Sequence, residues 1–96
     1  MIPANSNAEP IPLAPSNWGQ EVLVMHPHRF NGAMEAIVAL KQQKTVVLNL
    51  SLMPAEEAQR AADFVSGGAF ALDGQQERLG ELVFLFAPHH VDLSRL

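Results

Sequence analysis

The chain has 96 residues, ten Asp and Glu against six Lys and Arg, a net charge of −4 and no cysteine. That length holds one domain with a limited core, which favours self-association, and the acidity gives no basic field for phosphate backbones, so nucleic-acid binding is set aside. Missing cysteines exclude disulfides and thiolate metal sites, and no apolar run approaches the ~20 residues that cross a bilayer.

Met1 to Gly19 contains Pro3, Pro10, Pro12 and Pro15 among Asn, Ser and Ala. Such a composition blocks helix and gains little from ordering, so residues 1–19 are expected to be a linker or arm ahead of a core domain at 20–96. Ile11, Leu13 and Trp18 are apolar enough to dock, with Trp18 expected to pack on its own domain. The start Met1-Ile2-Pro3-Ala4 lacks the basic and apolar regions of a signal peptide, so a cytoplasmic domain is expected.

Glu21 to Met25 reads as a short strand closed by Pro27. Ala33 to Lys41 then places Met34, Ile37, Val38 and Lys41 at i, i+3, i+4 and i+7, the spacing of one helix face, with Asn31 as the expected N-cap. Lys41 and Lys44 suit the negative pole of that helix. Thr45 to Leu50 is β-branched and almost continuously apolar, as in a central strand. Pro54 opens a second helix with Glu56 and Glu57 in its first turn. Ala58, Ala61, Ala62 and Val65 form its apolar stripe with Phe64 beside it, and Gly67-Gly68 is expected to end it. Ala69 to Leu72 reads as strand, Asp73-Gly74 as a turn, Gln75 to Gly80 as a polar connection, and Leu82 to Phe86 as a buried strand stopped by Pro88. The order β-α-β-α-β-β predicts a two-layer α/β sandwich: a small mixed sheet of about four to five strands packed with two helices, right-handed in its crossovers.

Few residue sets suggest chemistry. His26, His28, His89 and His90 are the candidate metal ligands, but they sit beside Pro27 and Pro88 at strand ends and read as solvated loop residues, so no metal is expected. Gly67-Gly68 follows a helix, where the carbonyl end of the dipole repels an anion. Arg60 and Asp63 read as a surface pair. No nucleophile stands with a base and its orienting group, so neither catalysis nor a cofactor is expected. The stripe Ala58, Ala61, Ala62 suits close seating on the sheet or an interface. Arg78 and Phe84 could recognise a peptide bearing an acid and an apolar anchor, although composition alone makes Phe84 core and Arg78 a solvated loop residue.

The wording of the chain is more specific than its pattern. EVLVM (Glu21 to Met25), VVLNL (Val46 to Leu50), AQRAADFVSGG (Ala58 to Gly68), FALDG (Phe70 to Gly74) and ERLGELVFLFAP (Glu77 to Pro88) together resemble the core of SepF, most of all in its cyanobacterial members. SepF is a bacterial cell-division family that links the tubulin-like FtsZ to the membrane, and the likeness runs from about Glu21 to Val91. The resemblance implies a homodimer that assembles further and binds the C-terminal tail of FtsZ. By position it implies tail binding at Arg78, Phe84 and Ala58, and self-association around Phe64 and Gly67. It implies a cytoplasmic location at the division septum.

Members of that family usually begin with an amphipathic membrane helix and a long linker. The proline-broken start here carries no basic face, so the chain is expected to be a fragment whose membrane attachment lies elsewhere. The function expected is a non-enzymatic adaptor for septum formation. The alternatives are a purely structural polymer-forming unit and a small metal-dependent enzyme using the histidines.

Overall fold

The computed structural model describes Ile11–Pro12 and residues 22–93. The elements run β1 (Ile11–Pro12), β2 (Val22–Met25), α1 (Phe30–Lys41), β3 (Thr45–Asn49), α2 (Ala55–Ala71), β4 (Gln75–Gly80) and β5 (Val83–Ala87). Four longer strands and the two-residue β1 form one mixed sheet in the order β1-β2-β3-β5-β4. Among the described residues only β2 and β3 pair in parallel, through the crossover that carries α1. The expected two-layer α/β architecture is present. The expected arm at 1–19 and the docking of Leu13 and Trp18 lie outside the described residues, apart from Ile11–Pro12, which pairs antiparallel with Leu23 and Val24.

Strand alternation divides the sheet's side chains between two faces. Leu23, Met25, Val46, Leu48 and Phe86 point to the helices and are almost wholly buried, with Phe84 packed against them. The opposite face carries Val22, Val24, Val47, Val83 and Leu85, and neither helix covers it. The helices contribute mostly small residues to the core: Ala33, Ala36 and Ala39 from α1, with Leu40 the larger exception, and Ala58, Ala61, Ala62, Val65 and Ala69 from α2. Seating by alanine brings both helix axes close to the sheet.

Several sequence expectations are corrected. On α1 the buried face is the alanine row, whereas Met34 and Val38 are 46% and 45% exposed. Periodicity located an apolar stripe, but the small side chains won the contact with the sheet. The N-cap is Arg29, without a side-chain capping bond, in place of Asn31. The capping acceptor comes from another element: the Glu57 carboxylate of α2 accepts the Phe30 backbone N–H and pairs with Arg29 Nε at 3.3 Å. That bond to the backbone is the main reason the Glu57 carboxyl is held below its ordinary pKa, with Arg29 and Arg60 acting in the same direction.

Gly67-Gly68 does not end α2, which continues to Ala71 so that Ala69 extends the buried stripe. A Cβ at Gly68 would collide with Cδ1 of Ile37, so this glycine admits α1 to close contact, whereas a Cβ at Gly67 would meet open space. The helix ends instead in a Schellman arrangement. Asp73 takes the left-handed conformation (φ 58°), its N–H bonds Phe70 O, and the Gly74 N–H reaches Ala69 O at 2.7 Å. Helix α1 closes in the same way around Gln43 (φ 66°), with Lys44 N–H on Ala39 O.

Gln75 to Gly80 is a strand and not a connection. It pairs with β5 at the sheet edge, where both faces are wet, so no apolar alternation marks it.

Two outcomes follow for stability. Gly67→Ala should raise the urea-unfolding free energy by about 0.5–1 kcal/mol, the helix-propensity gain; Gly68→Leu should lower it by about 1–3 kcal/mol through overpacking against Ile37. Because the folded carboxyl of Glu57 has a lowered pKa, its contribution is complete above the ordinary glutamate value and is lost as pH falls through the folded value. Acid unfolding of Glu57→Gln should therefore be less steep over that range, with lower stability near neutrality.

Candidate functional site

The β4–β5 register sets Arg78 directly opposite Phe84, and antiparallel partners share a sheet face. The Arg78 guanidinium carbon lies 5.6 Å from the centroid of the Phe84 ring, a cation–π contact. Nε of Arg78 donates to Gly80 O at 3.2 Å, and Nη2 donates to Glu81 O at 2.6 Å. These bonds tie the guanidinium to the β4–β5 turn and hold it over the ring while the residue stays exposed.

Phe84 is half-buried, with its ring stacked on the fully buried Phe86 at 6.2 Å and 27°. It therefore offers a fixed apolar surface beside a fixed cation. Between Arg78 and Gly80 the register shifts, and Leu79 at this irregularity is 55% exposed. Glu77 pairs with Leu85 and so belongs to the opposite sheet face.

Ala58 lies in the first turns of α2 and is fully buried in the cluster against which Phe84 packs. It has no surface of its own, and its small size lets α2 lie close on the sheet. Phe64 and Gly67 belong to a different surface. The Phe64 ring is 41% exposed and lies 5.3 Å from the Phe30 ring, over which the Arg60 guanidinium sits at 5.5 Å. With Met34, Val38 and the exposed Gly67 they form the outer side of the helix layer. The structure thus brings Arg78 and Phe84 together, buries Ala58 in the core cluster on which Phe84 packs, and places Phe64 beside Phe30 on the α1 side of α2.

Phe70 went unnoticed in the sequence, where it reads as a strand residue. It is 85% exposed on α2. Glu57, Phe64 and Gly68 face α1 through the contacts above, so helical spacing puts Gln59, Ala62, Ser66 and Phe70 on the flank toward β4. An aromatic left almost wholly in water, on the flank that borders the Arg78–Phe84 face, is the signal that sequence periodicity could not supply.

The other candidates are dispersed. Asp63 accepts from Gln59 Nε2 at 3.0 Å, while Arg60 is engaged with Phe30. His26 and His28 follow β2 near the end of β3, since Met25 pairs with Leu48. His89 and His90 follow β5 near the start of β3, since Phe86 pairs with Val46. The two histidine pairs therefore occupy opposite ends of the sheet. Among the described residues no group of three or more His, Asp or Glu is placed to hold a metal ion. No helix among them is long and apolar enough to cross a membrane.

The family model described as "Cell division protein SepF" matches residues 22–93. A cell division protein SepF of Synechocystis sp. is 55% identical over 81 residues, covering 84% of this chain and 44% of the relative. One from Synechococcus sp. is 54% identical over 79 residues, covering 82% of this chain and 42% of the relative. The Synechococcus elongatus protein is 47% identical over 92 residues, covering 96% and 48%. The chain spans less than half the length of these relatives.

Proposed function

The chain belongs to the SepF family of cell division proteins, and from that membership and the geometry of β4–β5 we propose that the domain is a non-enzymatic adaptor for the C-terminal tail of FtsZ. The observation that carries the reading is the guanidinium of Arg78 held over the half-buried ring of Phe84. One supplies charge to an acidic group, and the other an apolar contact that costs no reordering on binding. Ala58 contributes by letting α2 lie close to Phe84.

In this reading the domain acts as a homodimer at the division septum, in the cytoplasm, and paired sites gain avidity on an FtsZ polymer. Self-association is supported by two apolar surfaces on opposite sides of the two layers. One is the sheet face that neither helix covers, where Val24, Val47 and Val83 are half-buried; the other is the outer helix surface with Phe64, Gly67, Met34 and Val38. A dimer closed by one of them can grow through the other. Membrane attachment is assigned to a segment other than this domain.

Isothermal titration of the domain with a synthetic FtsZ tail peptide tests the adaptor reading. Arg78→Glu should weaken binding by roughly 30-fold or more while the circular dichroism spectrum stays the same, and unaltered affinity would remove the site. The exposed helix surface also favours a second reading, a purely structural polymer-forming unit. Light scattering of Gly67→Lys should then show growth capped at a dimer, because a lysine at this open position puts charge into the contact.

A further inference from the structure

The two edges of the sheet are not alike. On one side β2 is covered by β1, whose Pro12 has no N–H to donate. On the other side β4 pairs only with β5 among the described residues. Alternate backbone N–H and C=O groups of Gln75–Arg78 therefore face outward. No proline interrupts this run, and its side chains are exposed apart from the half-buried Gln75. The register shift after Arg78 ends it.

We propose that the open edge of β4 captures an extended peptide by strand addition, so that the peptide's backbone pairs along Gln75–Arg78 while its side chains meet Arg78 and Glu77 on opposite faces. The proposal rests on the adaptor reading and specifies its mode.

Charge decides the occupant. Antiparallel partners share a face, and adjacent residues do not. No antiparallel pairing of two β4 edges can therefore set Glu77 opposite Arg78, and the antiparallel register centred on Glu77 sets it against its own copy. A peptide satisfies both charges if it carries an acid opposite Arg78 and a basic residue next to it, opposite Glu77. The position two residues from the acid, on the Arg78 face, lies opposite Gln76, toward the end of α2 that bears Phe70. Gly74, just before β4, is bonded to Ala69 there. An apolar side chain at that position meets the exposed Phe70 ring. The edge thus selects a strand with adjacent acid and base and an apolar residue two positions from the acid. Backbone bonds supply affinity, and the alternating side chains supply specificity.

The test uses the same domain and the synthetic FtsZ tail peptide, with a series of that peptide each bearing one N-methylated amide. Strand addition is supported if titration shows binding lost, by roughly tenfold or more, at every second position and retained at those between, with amide exchange slowed at alternate residues of Gln75–Arg78. Binding by the unmodified peptide that is lost in Arg78→Glu, with a flat N-methyl series and unchanged exchange in β4, overturns strand addition and leaves the adaptor reading standing. Failure of the unmodified peptide to bind at all overturns both.

Discussion

The whole arrangement depends on how closely α2 lies on the sheet. Its buried row is Ala58, Ala61, Ala62, Val65 and Ala69, with nothing larger than valine, and the volume between the layers is filled from the sheet side by Phe86, Leu48 and Met25. A helix seated in this way cannot move outward without opening voids around large aromatic and aliphatic groups, whose cost grows with cavity size. Gly68 does for the contact between helices what the alanines do for the contact with the sheet, admitting Ile37 of α1. Because both helices return from the same end of the sheet, they run in the same direction. That direction brings Glu57, near the start of α2, to the first N–H of α1. A tertiary carboxylate replaces the local cap that α1 lacks, and it is also the electrostatically favourable charge for a helix N-terminus.

Small residues inside have consequences outside. With the bulk of the core supplied by the sheet, Phe84 is drawn only halfway in, and its remaining surface lies beside α2 and under Arg78. The larger apolar groups of the helices are correspondingly displaced to their outer surfaces: Met34 and Val38 on α1, Phe64 and Phe70 on α2. Phe64 and Phe70 lie on different flanks of one helix, so α2 separates the surface assigned to self-association from the face of Arg78 and Phe84. In the proposed function, contacts at the two would form independently, so that a subunit held in a polymer would keep its peptide-facing side free.

Much of this was legible in the sequence. The central strand β3, the buried β5 and the second helix with its alanine stripe follow from composition and period, and with them the two-layer fold. Where the reading failed, a tertiary contact overrode a local rule. Gly67-Gly68 looks like a helix stop, yet the burial of Ala69 and the fit of Gly68 against Ile37 outweigh two poor helix formers. On α1, Met34 and Val38 have the right spacing for a core face, but hydrophobicity does not reveal which of two possible stripes meets a sheet. Asn31 is a better cap by propensity than Arg29, and no local signal could announce a carboxylate 27 residues away. The site divided similarly. Composition assigned Arg78 to a solvated loop and Phe84 to the core, and only the strand register joins them. Their tail-binding role is implied by the wording shared with SepF and not by any periodic pattern.

The least legible element, β4, is informative for that reason. Gln75-Gln76-Glu77-Arg78 contains no β-branched or aromatic residue, so it lacks both the propensity and the alternation by which strands are recognised. Those are also the properties that make an exposed edge prone to unspecific pairing. An edge strand composed of glutamines and opposite charges is protected from random partners because it offers them no apolar surface. The irregularity at Leu79 shortens the run that any partner could use. What is left is a short stretch of backbone whose attraction for another strand depends on matching Glu77 and Arg78 in order. The polarity that hides this strand from sequence analysis is thus the property that would make it selective.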